Sequence, residues 1–238
     1  MLPVFLICWR NFNITRDCLE SFIDTASEPL EISVAVPNDT MPGSGTNKIH
    51  QYLRNKVDKG IVKRALFYEE NVIGHGLVRM IRDFFPDPDK HELFCLSDGD
   101  LVLPQGVDWV GLSRHYHEDH WVVTGCNLST ENYKPPCTGF SKNDDNFGLW
   151  LHVHKTKWFR DYHGFERNSI DSDIMTLARY SGGATKIREI EAYHCTWSIH
   201  DPESPYLDVE YSAYKKENAS NWVFARRNEN MAYELVTK

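Results

Sequence analysis

The stretch Glu92-Leu93-Phe94-Cys95-Leu96-Ser97-Asp98-Gly99-Asp100 decides the fold. Residues 92–97 (ELFCLS) are a short, nearly continuous apolar run, which predicts a strand buried on both faces. The run breaks at Asp98-Gly99-Asp100. Two carboxylates one residue apart would then stand at the carboxyl end of a parallel strand, the edge where α/β sheets bind ligands. Gly99 lets the backbone turn tightly and approach a ligand. Paired hard oxygen ligands suit Mg²⁺ or Mn²⁺, which bind through one or two carboxylates plus substrate phosphates. An Asp-Gly pair is also a common surface turn. Its place directly behind a buried strand favours the site.

Working outward toward the start of the chain, residues 2–8 (LPVFLIC) form a second uninterrupted apolar run and a predicted strand. Thr15 would cap a helix with Cys18, Leu19, Phe22 and Ile23 on its apolar face. Pro29 punctuates, and residues 31–36 (EISVAV) read as a strand ending at Pro37-Asn38-Asp39. A Pro/Gly/Ser turn runs through Gly45. Residues 47–57 carry Ile49, Leu53 and Val57 at helical spacing, and Gly60 stops them. A strand is expected over 62–68 and a helix over 73–85, closed by Pro86-Asp87-Pro88. Strands alternating with helices predict an α/β fold with a mostly parallel central sheet flanked by helices.

Beyond Asp100 the pattern loosens. A helix is expected over 106–115, strands over 121–126 and 149–153, a helix over 170–180, and a last strand over 184–194. Residues 129–146 are polar and rich in Pro, Asn and Asp, the composition of a loop that orders over a ligand. From Trp197 onward periodicity is weak. No repeat and no dividing linker is visible. One domain is expected over 1–238, with an alternating half (1–104), a mixed half (105–197) and a C-terminal extension (198–238).

Composition narrows the function classes. The chain has 238 residues, enough to bury a substantial core. Its formal net charge of −8 makes it a poor default partner for a DNA backbone. Six cysteines occur without a C-x-x-C pair, the pattern of reduced structural thiols in a cytosolic protein. The opening apolar run is too short for a signal sequence, and no stretch reaches the roughly 20 apolar residues a membrane-spanning helix needs. The expectation is a cytoplasmic chain, at most peripheral to a membrane.

Four further groups carry chemistry. The Asp39 carboxylate, after the second strand beside Asn38, can accept hydrogen bonds from a nucleobase or ribose, or can close an Asx turn on its own backbone. Asn71-x-x-Gly74-x-Gly76 precedes or opens a helix, where glycines and the helix dipole favour phosphate or ribose, with Arg79 and Arg82 further along. Asp171 and Asp173 open the 170–180 helix, either as caps or as a general base beside an acceptor hydroxyl. His194, after the last strand, is a candidate third metal ligand. His115, His117 and His120 lie on a helix expected to be exposed and are assigned no site. Trp150, Trp158, Trp197 and Trp222 are either core or sugar-facing aromatics.

In this order the pieces resemble the family 2 glycosyltransferases of the GT-A fold. The opening strand, polar turn and helix of that family look like Ile7-Cys8-Trp9-Arg10-Asn11-Phe12-Asn13, which places Cys8, Trp9 and Arg10 at the donor. The nucleobase Asp would be Asp39, with Asn38 beside it. The Asn-x-Gly segment resembles Asn71 to Gly74 with one extra residue, and Arg79 follows on the donor side. The D-x-D motif matches Asp98 and Asp100, with Ser97 and Gly99 lining the donor. A Gly-Phe pair and the E-D-x-D-L helix start look like Gly164-Phe165 and Ile170-Asp171-Ser172-Asp173-Ile174, with Ile170 in place of the Glu and Arg179 near the usual Arg. The resemblance covers roughly residues 2–197.

It implies a nucleotide-sugar donor, Mn²⁺ or Mg²⁺ on Asp98, Asp100 and His194, and Asp171 as base with Asp173 in reserve. It also implies direct displacement with inversion onto a hydroxyl of a glycan, a lipid-linked sugar, a small molecule or a modified nucleic acid. A nucleotidyltransferase would need an early Gly-rich basic loop, and Trp9-Arg10-Asn11-Phe12-Asn13 has no glycine. A non-catalytic nucleotide-sugar-binding module would bind donor without turnover, and Asp171 would be dispensable.

Overall fold

A computed structural model describes residues 1–38, 45–69, 73–129, 150–163, 178, 180–217 and 232–238. Nine strands form one sheet in the order β5-β8-β6-β7-β4-β1-β2-β3-β9. In chain order these are β1 (Leu2–Ile7), β2 (Leu30–Val36), β3 (Arg64–Tyr68), β4 (Leu93–Asp98), β5 (Leu101–Val102), β6 (Val123–Leu128), β7 (His152–Lys155), β8 (Ala184–His194) and β9 (Tyr233–Thr237). The helices are α1 (Phe12–Asp24), α2 (Thr46–Asp58), α3 (Ile73–Phe84), α4 (Trp109–Asp119), a short α5 (Thr156–Trp158) running into a π-turn, and α6 (Val209–Glu217).

Strands β3, β2, β1 and β4 pair in parallel. Strand β7 is antiparallel to both β4 and β6, so β6 runs with β4, and β8 runs parallel to β6. Only β5, β7 and β9 point the other way. The carboxyl ends of β1, β2, β4, β6 and β8 therefore share one edge.

The two faces of the sheet come from the alternation within β1. Leu2, Val4, Leu6 and Cys8 pack toward α1 and α2 in one core cluster, which also holds Leu19, Phe22, Ile49 and Leu53. Phe5 and Ile7 point to the other face and meet Leu77, Met80 and Ile81 of α3. Each such side chain removed from water contributes about 1.5–3 kcal/mol. Chain direction explains why α3 lies opposite α1 and α2. The sheet grows from β1 to β3, then the chain returns past β1 to β4. A right-handed crossover in the reverse direction must use the other face.

Several boundaries differ from the sequence reading. Thr15 lies inside α1 and is buried; the cap is Asn11, whose side chain accepts from the amides of Asn13 and Ile14. Helix α4 starts later than residue 106 because Gly106 has φ 80° and Asp108 is the cap, accepting from the Gly111 amide at 2.9 Å. The helix then runs through His117, which is buried rather than exposed. Strand β6 begins two residues after 121, and β7 begins at His152, because Leu151 has φ 53° and cannot be extended. Beyond residue 197 the chain is not featureless. It forms α6 and then β9, a further strand after β8, antiparallel on the free edge of β3. Among the described residues no helix is long and apolar enough to cross a membrane.

Candidate active site

Strand β1 is flanked by β2 on one side and β4 on the other; the chain leaves β1 toward β2, whereas from β4 it turns the opposite way along the sheet, toward β5 and β6. This is a topological switch point, where open α/β sheets leave a crevice. Asp98-Gly99-Asp100 closes β4 at that point. The Gly99 amide donates to the Ile7 carbonyl at 2.7 Å. A Cβ on residue 99 would lie 2.6 Å from both the Cys8 sulfur and the Ile7 oxygen, so only glycine fits between the two strand ends.

The flanking residues fix the turn. Ser97 is fully buried, and its hydroxyl donates to the Asp98 carbonyl at 2.9 Å while accepting from the strained Leu151 amide at 3.1 Å. Downstream, β5 pairs antiparallel with the end of β8, with Leu101 opposite His194, and the Cys195 amide donates to the Asp100 carbonyl at 2.9 Å. This pairing brings His194 Nε2 to 3.0 Å from Asp100 Oδ2. The imidazole is 4% exposed and the carboxylate 22%, so the pair is open to ligand from the carboxylate side. Thr196 Oγ1 lies 3.1 Å from the same ring nitrogen, Trp150 packs against the ring, and Trp197 meets it edge-on at 5.1 Å. Burial pushes the Cys8 thiol up to about 12, with the charges of Asp100 and Asp98 adding to the shift, so it stands in the site as a neutral, apolar wall.

Other residues marked in the sequence have defined places. Arg10 is buried and forms a two-pronged ion pair with Asp208, Nε to Oδ2 at 2.7 Å and Nη2 to Oδ1 at 3.0 Å. Trp9, beside it, meets Tyr211 edge-on at 5.1 Å. The Asn38 amide donates to the Glu69 carbonyl at 3.0 Å, tying the ends of β2 and β3. Gly74 is in the first turn of α3, and Arg79 pairs with Asp83 at 2.6 Å beneath the ring of Tyr233. Trp150, Trp158 and Trp197 are all buried. Asp39, Asn71, Cys137, Gly164, Phe165, Asp171, Asp173, Arg179, Trp222 and nearly all of 129–146 lie outside the described residues.

The structure thus brings Asp98, Gly99, Asp100, Ser97, Cys8 and His194 to one place. It also adds Leu151, Asp208 and Tyr211, which sequence reasoning missed. Asp208 had no local signal, since its partner is 198 residues away. Among the described residues no group of three or more His, Cys, Asp or Glu side chains is arranged as a metal site. The donor chemistry at the turn nevertheless fits a hard divalent ion, two carboxylates with an imidazole directed at one of them.

No family model and no curated protein matches the chain in sequence. Solved structures do match in fold. A mannosyltransferase from Pyrobaculum calidifontis, PcManGT, solved with GDP-Man and Mn²⁺, superposes with TM-score 0.59 at 12% identity, covering 83% of this chain. TarS of S. aureus, residues 1–349, superposes with TM-score 0.53 at 12% identity over 93% of this chain and 75% of that one. The same fragment has been solved with UDP and with UDP-GlcNAc. The chain spans 59% of the mannosyltransferase and 40% of a longer TarS structure. The fold is therefore the mixed α/β sheet, flanked by helices, of the GT-A glycosyltransferases.

Proposed function

We propose that this chain is a metal-dependent glycosyltransferase that moves a sugar from a nucleotide-diphosphate-sugar to a hydroxyl acceptor. The observation that carries the reading is the Asp98-Gly99-Asp100 turn, locked by Gly99 into the switch-point crevice and met there by His194. The nucleotide-sugars and Mn²⁺ bound by the structural neighbours support it.

In this reading Asp98, Asp100 and His194 hold Mn²⁺ or Mg²⁺. When bound, the ion supplies positive charge against the diphosphate as it leaves. Gly99 allows the donor close to the backbone, and Cys8 and Ser97, both fully buried, back the turn from inside without adding charge. Trp9, Asn38, Asp39, Asn71 and Gly74 are assigned the role of binding the nucleoside of the donor. Arg10 and Arg79, both engaged in ion pairs, contribute through the shape of the wall rather than as free cations. Asp171, with Asp173 in reserve, takes the proton from the acceptor hydroxyl. The hydroxyl oxygen attacks the anomeric carbon as the bond to diphosphate breaks, and that single displacement inverts the centre.

A panel of nucleotide-sugars assayed for release of nucleoside diphosphate with Mn²⁺ or Mg²⁺ tests the reading. Turnover of at least one donor, abolished by chelator and by Asp98→Asn/Asp100→Asn together, is expected. Turnover undiminished in that double variant overturns the metal assignment. Donor binding without turnover, unchanged in Asp171→Asn, would make the chain a binding module.

A further inference from the structure

The segment after β8 contacts the β1–α1 turn at several points. Asp208 holds both prongs of the buried Arg10 guanidinium, and the two side chains are only 8% and 2% exposed. Glu210 lies 3.6 Å from the same guanidinium. The side-chain amides of Asn11 and Asn13 donate to the carbonyls of Tyr206 at 3.1 Å and Pro205 at 3.0 Å. The Tyr206 hydroxyl donates to Asp17 at 3.1 Å, and Tyr211 meets Trp9. The clamped turn is strained, because Arg10 and Asn11 both have positive φ, 60° and 30°. Non-glycine residues hold that conformation only when their surroundings impose it. Burying an ion pair costs desolvation that its attraction barely repays, so such a pair is weak evidence of a stabilising role and better evidence of a geometric one.

The geometry lies two residues away from the proposed metal turn. Ile7 and Cys8 lead into Arg10, and they are the atoms against which Gly99 is seated. The clamp has a second root on the other side, since the Asp208 amide donates to the Ile199 carbonyl and the Cys195 amide to the Asp100 carbonyl. We propose that residues 204–211 form part of the active-site framework. Asp208 is its positioning residue, holding the β1–α1 turn and, through Ile7 and Cys8, the Asp98-Gly99-Asp100 turn in the geometry that accepts the donor. The donor clause rests on the glycosyltransferase reading; the mechanical coupling does not.

Amide hydrogen exchange of the full chain without ligand tests the coupling. In Asp208→Ala, exchange is expected to accelerate about tenfold or more both at residues 8–14 and at residues 98–101. With a donor that is turned over, KM should rise about tenfold while kcat stays within about threefold. Asp208→Asn should give a smaller shift in the same direction and serves if the alanine variant does not fold. Val57→Ala, in the core under α2, is the comparison at similar loss of Tm, and should leave exchange at 98–101 at the parent rate. Acceleration confined to 8–14, or the same pattern in Val57→Ala, overturns the proposal. If the parent turns over no nucleotide-sugar, the functional reading falls and the exchange experiment still decides the coupling.

Discussion

The quartet β3-β2-β1-β4 and the quartet β7-β6-β8-β5 are built from different material. In the first, almost every buried position is an aliphatic or aromatic side chain, with Ser33 and Ser97 the only buried polar residues on its strands. In the second, His152, His154, Thr124 and His194 are buried on the strands, with His117 of α4 packed beneath them. The apolar quartet is a plate, and the charged part of its contribution to the site is the one turn at the end of β4. The other quartet supplies the imidazole of His194, and the segments just before β7 and just after β8 supply the indoles of Trp150 and Trp197 and the hydroxyl of Thr196 around it. Pure burial gives precise placement, and buried polarity gives chemistry at the expense of sensitivity to protons.

The division of labour predicts that the largest effect comes from the turn itself. Asp100→Asn should reduce nucleotide release about a thousandfold or more while leaving Tm nearly unchanged, measured by steady-state assay and thermal melting in parallel. A loss of folding in step with activity would erase the distinction between plate and site. Next comes the helical layer packed on the plate. Phe22 is fully buried against Trp109, with ring centroids 5.4 Å apart. Phe22→Ala should cost about 3–5 kcal/mol of unfolding free energy in a denaturant titration.

The polar quartet should show itself in pH dependence. His117 lies with its ring nitrogens 2.8 Å from the Trp121 carbonyl and 3.2 Å from the Val153 carbonyl, and as a neutral ring it donates to only one of them. Burial nevertheless depresses its pKa from 6.5 to about 4. A base whose folded pKa is lowered stays neutral in the fold while the unfolded chain takes up a proton. Its contribution is complete above the unfolded value and is lost as pH falls from 6.5 toward 4. The loss from this residue is about 3 kcal/mol. Urea titrations across that range should show it, and His117→Gln should flatten the slope. An unchanged slope would mean that other buried groups set it. Smallest is the cap at the start of α1: Asn11→Ala should cost about 1 kcal/mol, read as a modest drop in Tm.

The same contrast explains what the sequence made legible. Runs such as LPVFLI and ELFCLS announce buried parallel strands because both faces must be apolar, so β1, β2, β4 and the turn after Ser97 could be placed from spacing. Strand β7 reads HVHK, with the buried positions filled by His152 and His154, and hydropathy gives no hint that they are inside. Helix α4 was displaced because Gly106 and Asp108 work as a turn and a cap, not as helical residues. His194 and Asp100 were both legible as candidates, but their direct contact follows from the pairing of β5 with β8. The Arg10–Asp208 bridge was invisible because neither residue carries a local pattern that points across 198 positions.

Strand β9 has a consequence of its own. It lies along β3, where it is tied by Arg54 to Glu234 and by the Tyr233 hydroxyl to Asp83 at 3.0 Å. Without it, the parallel plate would present a naked row of backbone donors and acceptors beside Ala65, Leu66 and Phe67, the kind of rim on which chains stack into aggregates. The five residues of β9 act as a selvedge: they become the rim themselves, and a short strand carrying the exposed charge of Glu234 is a poorer template for further strands than the apolar β3 would be.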